Sequence, residues 1–478
     1  MKRQRASVLV GLLWCLALLA AVVIGVLHLS RLDLMVVKNQ GDTIQAHYLA
    51  LAGIEKAKAL LYHEMTELKR SAKSHSGALY DAPQEFREVR LSRGQFSVLR
   101  QGRGDEGGRI IYGIADEESR LNVNVASSEQ LSKIDGMTPE IIAAIHDWRD
   151  PDHAARPSGA EAEYYAGLRI PYLPRDGPVQ TARELSLVRG IPRDLLFGED
   201  ANQNGFLDPE EDDRSETAPI DNADGILDSG WSGLLTIDSS ALNQSAAGQE
   251  RVNIKSADER TLAGVRGISA DLARAIVAYR EQKEFESIAD LLDVAAVVPQ
   301  NSSRSSSSAA PPASGNPSRP TPPGGSSGSR SSPAPAPTRS SSSLQTTGPK
   351  LIAEEMLIEM GDEITADDSS EVRGAVNINT ASFEVLMCLP GVSRELAQAI
   401  VSYRKSAGFF PNPAALLKVD GMTKDIFKQL SPIVCTRSQT YRIVSEGTIR
   451  STGARKRIEM VVRLGAVTFD TLAYREDL

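Results

Sequence analysis

Residues 200–211 read DANQNGFLDPEE, and they space oxygen-bearing side chains as a hard cation requires. Counting from Asp200, side-chain oxygens fall at positions 1, 3, 5, 9 and 12 as Asp200, Asn202, Asn204, Asp208 and Glu211. Gly205 stands at position 6, where such a loop turns sharply, the Phe206 carbonyl serves position 7, and Leu207 is the apolar anchor at position 8. This is the spacing of a twelve-residue EF-hand calcium loop, whose oxygens replace the water around the ion at about 2.3–2.6 Å. A solvated acidic turn, the plain alternative, needs neither that glycine nor that apolar residue.

A second acidic segment follows, DNADGILD at residues 221–228. Asn222, Asp224 and Asp228 sit at the offsets of positions 3, 5 and 9 around Gly225, but Ile220 occupies position 1. The segment is either a partial Ca2+ site or a tight turn at Asp224 and Gly225. Outside the cytoplasm calcium is millimolar, so even weak loops stay filled and serve as staples for irregular chain rather than as sensors.

No catalytic constellation accompanies these segments. The six histidines are scattered, and no HExxH, GxSxG or phosphate-cradling glycine loop occurs, so an enzyme is not expected. Of three cysteines, Cys15 lies in an apolar run; Cys388 and Cys435 are either a disulfide in an oxidising compartment or two separate thiols.

The elements that must position the loop begin at the N-terminus. After MKRQRA, no Asp, Glu, Lys or Arg occurs until Arg31. About 22 apolar residues at 1.5 Å rise span about 33 Å, enough for a bilayer core. Lys2, Arg3 and Arg5 keep the short tail in the cytoplasm and send the bulk across. Helical periodicity then continues: Ala46, Leu49, Ala50, Gly53, Ala57, Leu60, Leu61, Met65 and Leu68 form one apolar face. QFSVL at 95–99, RIIYGI at 109–114 and LNVNV at 121–125 alternate like strands, as do YRIVSEGTI at 441–449 and RIEMVVRL at 457–464.

Three segments, starting at Leu121, Val252 and Val376, superpose without a gap. Each has Asn (Asn122, Asn253, Asn377), Leu nine later (Leu131, Leu262, Leu386), Gly fourteen later (Gly136, Gly267, Gly391) and ends in an aromatic and Arg (Trp148 and Arg149, Tyr279 and Arg280, Tyr403 and Arg404). The glycine followed by a capping Thr or Ser predicts a helical hairpin and resembles the helix-hairpin-helix motif, whose turn amides in many proteins hold a DNA phosphate. Charge speaks against DNA here. The chain carries 53 basic and 62 acidic residues, net −9, and the first repeat sets Lys133 and Arg149 against Glu129, Asp135, Glu140, Asp147 and Asp150. Such a surface repels a polyanion, so the hairpins are expected to be packing units and nucleic acid is not an expected partner. Residues 301–350, rich in Ser, Pro and Gly, cannot bury enough apolar surface to fold and read as a linker.

The basic tail, the apolar helix, AHYLALAGIEKAKALL at 46–61 and GIADEESRLNVNVAS at 113–127 together resemble minor pseudopilin K of the type II secretion system. That resemblance implies an α+β fold: a long N-terminal transmembrane and amphipathic helix on a small antiparallel pilin-like sheet, with a large, mostly helical inserted domain. The expected divisions are 1–6 leader, 7–70 helix, 71–125 pilin-like strands, 126–300 inserted domain with calcium loop and hairpins, 301–350 linker, 351–437 third hairpin region and 438–478 closing strands. It further implies cleavage by a prepilin peptidase between Ala6 and Ser7, insertion in the inner membrane with the bulk periplasmic, and calcium in the inserted domain. Its partners would be minor pseudopilins of types I and J and the major pseudopilin. Gly11 stands where most pilins carry Glu, and K-type subunits characteristically lack that Glu. Together with the bulk of residues 116–375 this implies a place at the filament tip, in support of export of folded proteins across the outer membrane. The alternatives are a type IV pilus minor pilin and, from another class, a membrane-anchored DNA receptor for DNA uptake.

Overall fold

The structure, a computed structural model, describes residues 3–71, 77–103, 106–214, 216–217, 219, 221–296, 349–465 and 468–476. The expected linker at 301–350 lies outside these but for its last two residues.

Helix α1 (Arg3–Ser71) is unbroken and divides into two environments. Residues 8–40 are exposed throughout, with Trp14 at 68% and Ile24 at 66%, and an 18-residue window there has a mean hydropathy of 2.8, apolar and long enough to cross a membrane. Farther along, Ala46, Leu49, Ala50, Ile54, Ala57 and Leu61 are buried, nearly the face expected from periodicity.

That face packs on an antiparallel sheet of β1 (Val89–Leu91), β2 (Gly94–Val98), β3 (Ala115–Asp116), β4 (Thr440–Ile449), β5 (Arg455–Leu464) and β6 (Phe469–Glu476). The order is β1-β2-β4-β5-β6, with β3 also against β4. The C-terminal segments therefore complete a sheet begun early in the chain, as expected, and β6 is an additional strand. Val98, Ile443, Ile458 and Val462 face α1. At the closest approach Gly447 is required, since a Cβ there would stand 2.0 Å from the Ala46 carbonyl oxygen.

Between β3 and β4 the chain makes its insertion, and the expected boundary at 125 is corrected. Leu121–Asn122 pairs in parallel with Leu235–Thr236 inside the insertion, not with the main sheet. The same pairing recurs as Val252–Asn253 with Ile364–Thr365 and as Val376–Asn377 with Val434–Cys435. Each strand leads into a hairpin: α2 (Ser128–Leu131) and α3 (Pro139–Arg149), α4 (Glu259–Ala263) and α5 (Ala270–Arg280), α6 (Phe383–Met387) and α7 (Arg394–Ala407). The turn glycines have φ of +73°, +83° and +71°, a region open to glycine at no steric cost. Thr138, Ser269 and Ser393 cap the second helices, accepting from Ile141, Leu272 and Leu396 N–H.

Every unit is longer than its hairpin. A 3-10 turn (Ala182–Leu187, Ile288–Asp293, Pro413–Lys418) and a further helix (Arg193–Phe197, Glu354–Met360, Lys424–Leu430) lead to the return strand. The boundary expected at 351 therefore falls inside the second unit rather than between units. A single hydrophobic core, from Leu121 to Val434, joins all three. Cys388 and Cys435 are free thiols, which corrects the disulfide alternative: Cys388 ends α6 and bonds the Glu384 carbonyl, while Cys435 lies in a return strand against the Ala375 carbonyl.

Candidate metal centres and the domain junction

Entry to and exit from the insertion meet at three successive acids, each buried. Asp116 accepts from Asn377 Nδ2 (3.1 Å), Thr380 Oγ1 (2.7 Å) and Ser438 Oγ (2.6 Å). Glu118 accepts the N–H groups of Ser240 and Thr440. Burial and the neighbouring Asp116 push its pKa up to about 8. Glu117 behaves oppositely: burial raises it, but Arg442 at 2.6 Å, Arg120 and the Thr236 hydroxyl hold it at about 2.

The segment 198–234, which carries both acidic turns, stands where the third unit has only residues 431–433 between helix and return strand. In the first turn Asp200, Asn204, Phe206 and Glu211 are buried. Asp200 accepts from Asn204 N–H (2.9 Å) and Gly205 N–H (3.0 Å), and Gly205 has φ +75° at the expected sharp turn. Asp208 draws in both asparagine amides, Asn202 Nδ2 at 2.8 Å and Asn204 Nδ2 at 2.6 Å. Glu211 closes the ring by accepting from Asn202 N–H (3.4 Å) and Asp208 N–H (3.2 Å). The residues picked out by spacing are thus brought together. Burial pushes the pKa values of Asp200 and Glu211 up, and among the described residues neither carboxylate has an ion-pair partner. Arg475 offsets only part of the rise at Asp200, and buried acids gathered among amide and carbonyl oxygens are a donor set that suits a hard divalent ion.

The second turn is different. Asn222, Asp224 and Asp228 are exposed, and each side chain accepts the N–H two residues on, from Asp224, Ile226 and Gly230. Ile220 lies outside the described residues. Glu199, itself buried, bonds the N–H groups of Asn222 and Asp228 and so ties the second turn to the residue preceding the first.

Spacing gave no hint of a further acidic group around Glu161. Asp150, Asp152 and Glu161 bring ligand atoms within 4.8 Å of one another, as do His153, Glu161 and Asp176. Glu161 is 6% exposed, and among the described residues neither of its carboxylate oxygens has a hydrogen-bond partner. Burial, then Asp147, Asp176, Asp150 and Asp152, push its pKa up. Asp147 is held by Arg156 at 2.8 Å and is not among these groups. The sequence signal was the DPD at 150–152 directly after the first hairpin.

The hairpin signature is used internally. Leu131, Leu262, Leu386, Ile145, Ile276 and Ile400 are buried, and Arg149, Arg280 and Arg404 donate to the Ala126, Ala257 and Ala381 carbonyls of their own hairpins. In the more basic third unit, Lys424 pairs with Asp293 and Lys428 with Glu286 and Asp290, while Arg394 lies over the Phe383 ring.

Residues 118–196 match the family model described as type II secretion system (T2SS), protein K. Residues 248–304 and 372–435 match the helix-hairpin-helix motif. The chain is 29% identical over 175 residues to Endonuclease/exonuclease/phosphatase family domain-containing protein 1 of Rattus norvegicus, covering 36% of this chain and 26% of that protein. Its counterpart in Xenopus laevis is 42% identical over 64 residues, 13% of this chain and 12% of that protein. The chain thus spans about a quarter or less of the length of these curated relatives. The crystal structure of the GspK-GspI-GspJ complex from the enterotoxigenic Escherichia coli Type 2 Secretion System aligns with a TM-score of 0.42 at 11% identity, over 92% of this chain and 99% of that one.

Proposed function

We propose that this chain, whose residues 118–196 match the type II secretion system protein K family model, works as a minor pseudopilin at the tip of a short periplasmic filament and supports export of folded proteins across the outer membrane. The observation that carries the reading is the pairing of an exposed apolar half-helix with a packed half-helix and sheet, interrupted by an insertion of hairpin units. The exposed half anchors the chain in the inner membrane, the sheet is the pilin body, and the insertion is too broad to accept a subunit stacked above it. Partners on this reading are the minor pseudopilins of types I and J, the major pseudopilin and a prepilin peptidase acting between Ala6 and Ser7.

Two places in the insertion suit calcium on this reading: Asp200, Asn202, Asn204, the Phe206 carbonyl, Asp208 and Glu211 in the loop, and Asp150, Asp152, Glu161 and Asp176 beside the first hairpin. Calcium would supply charge neutralisation there and no reaction. Asn222, Asp224 and Asp228 would at most add outer ligands from the second turn.

The helix-hairpin-helix matches favour a second reading, DNA held at the turns. Against it, the terminal arginines and two of the third unit's lysines are already engaged. Site-specific cross-linking from α1 in cells, with export measured in a strain lacking the chain, tests the first reading. Cross-links to pilin-like subunits and lost export are expected. Normal export together with salt-sensitive DNA binding by the purified chain would overturn it.

A further inference from the structure

The loop 200–211 does more than gather oxygens, because its position-7 residue faces two ways. The Phe206 backbone carbonyl belongs to the ligand set, whereas its ring is 3% exposed and packs with Leu99 and Val444 of the main sheet. The Arg457 guanidinium lies 4.2 Å from the ring centroid. Arg475, on β6, donates to the carbonyls of Gln203 and Asn202. Side chains alternate across a strand. Ile443 and Ile458 face α1, so Val444 and Arg457 lie on the opposite face. The loop therefore reaches back from the insertion onto the sheet face that α1 leaves, more than two hundred residues in sequence from β4.

We propose that this loop is a cation-dependent clasp: filling it with calcium seats Phe206 on the sheet and fastens the inserted domain at a second point, away from the Asp116–Glu118 junction. The proposal rests on the reading of residues 200–211 as a calcium loop. One ring cannot offset the ordering of twelve loop residues. The buried carboxylates of Asp200 and Glu211 oppose that ordering further until a cation lies between them. Once the loop is ordered around an ion, the direction of the Phe206 carbonyl fixes the path of the chain and hence where the ring points. Coupling is reciprocal, so whatever the sheet contact contributes to calcium binding, calcium contributes to the contact.

The test uses the full chain in detergent micelles, stripped of metal and titrated with calcium alone by calorimetry, with hydrogen exchange measured over residues 440–476. The heat missing in Asp200→Ala is that of the loop. In the unaltered chain, calcium should slow exchange in β5 and β6. Phe206→Ala, which keeps the carbonyl, should weaken loop binding about tenfold and abolish the slowing. Leu99→Ala, just past β2 and touching the loop through Phe206 but supplying no ligand oxygen, should weaken loop binding several-fold, which a role in sheet packing alone would not do. Loop affinity unchanged in both variants, or exchange indifferent to calcium, overturns the clasp while leaving the calcium loop standing. If Asp200→Ala and Glu211→Gln lose no heat, the calcium loop itself fails and the clasp with it.

Discussion

The loop at 200–211 and the group around Glu161 are both acidic and lie in the same unit, yet they are built differently. In the loop, neighbours in sequence supply the oxygens, and backbone N–H groups already satisfy much of Asp200 and Glu211. Around Glu161 the acids come from three separated stretches fixed by the hairpin core, and among the described residues neither Glu161 oxygen has a hydrogen-bond partner. In the loop, its own amides offset part of the cost of burying the two carboxylates. A tertiary cluster has no such recourse, so its dependence on a cation should be the greater.

The largest effect that sharpens the contrast is therefore expected at Glu161. Saturating calcium should raise the stability of the unaltered chain by about 3–4 kcal/mol, since a ligand at a hundred to a thousand times its Kd contributes that much. Glu161→Gln should lose more than half of this and melt higher than the unaltered chain when both are metal-free, as read by calorimetric Tm with chelator and with calcium. If Glu161→Gln melts lower without metal, the cluster is held by something other than a cation.

Asp200→Ala should lose a smaller share, about 1–2 kcal/mol of calcium-dependent stability, and should also lower the metal-free Tm slightly, because it removes the acceptor of the Asn204 and Gly205 N–H groups. Equal losses at Asp200 and Glu161 would erase the distinction.

The acids of the junction give a third comparison, free of metal. Glu118 carries a proton in the folded chain up to about pH 8, whereas unfolded it ionises near 4.5. Between those values the folded state binds more protons, so its contribution to stability falls as pH rises. Glu117 is held at about 2, so its contribution is present above 4.5 and lost as pH falls towards 2. Denaturation in chelator at pH 5 and pH 8 should show the decline in the unaltered chain and a flatter profile in Glu118→Gln. Smallest of all, Asp224→Ala, on an exposed turn, should change neither Tm nor calcium heat measurably.

Much of this architecture is legible from residue types alone, and the reasons differ by element. Helix α1 shows itself because its apolar residues first surround the axis and then retreat to one face. The hairpins show themselves because a turn requiring positive φ admits few residues besides glycine. The loop shows itself because its ligands are local. The rest of each unit escaped because its repetition is interrupted. Leu185, Val188, Gly190 and Asp194 match Leu416, Val419, Gly421 and Asp425 at one offset, and Gly190 and Gly421 both have positive φ, but the second unit breaks off after Leu291 and Val294. LNVNV alternated like a sheet strand because a short parallel pair within the insertion imposes the same pattern as a long antiparallel one. Glu161 could not be paired with Asp150 and Asp176 before the hairpin was folded.

At the junction, Asp116 stands opposite Tyr441 in register, so the last residue before the insertion and the first strand after it are side by side. Adjacent strands lie about 4.8 Å apart. A module whose two ends are that close can be excised and its stumps rejoined by a short turn without moving any other strand, and the same geometry would admit its acquisition in one step. The helix and sheet thus form a continuous body in outline, from which a large head projects at one rung of the ladder.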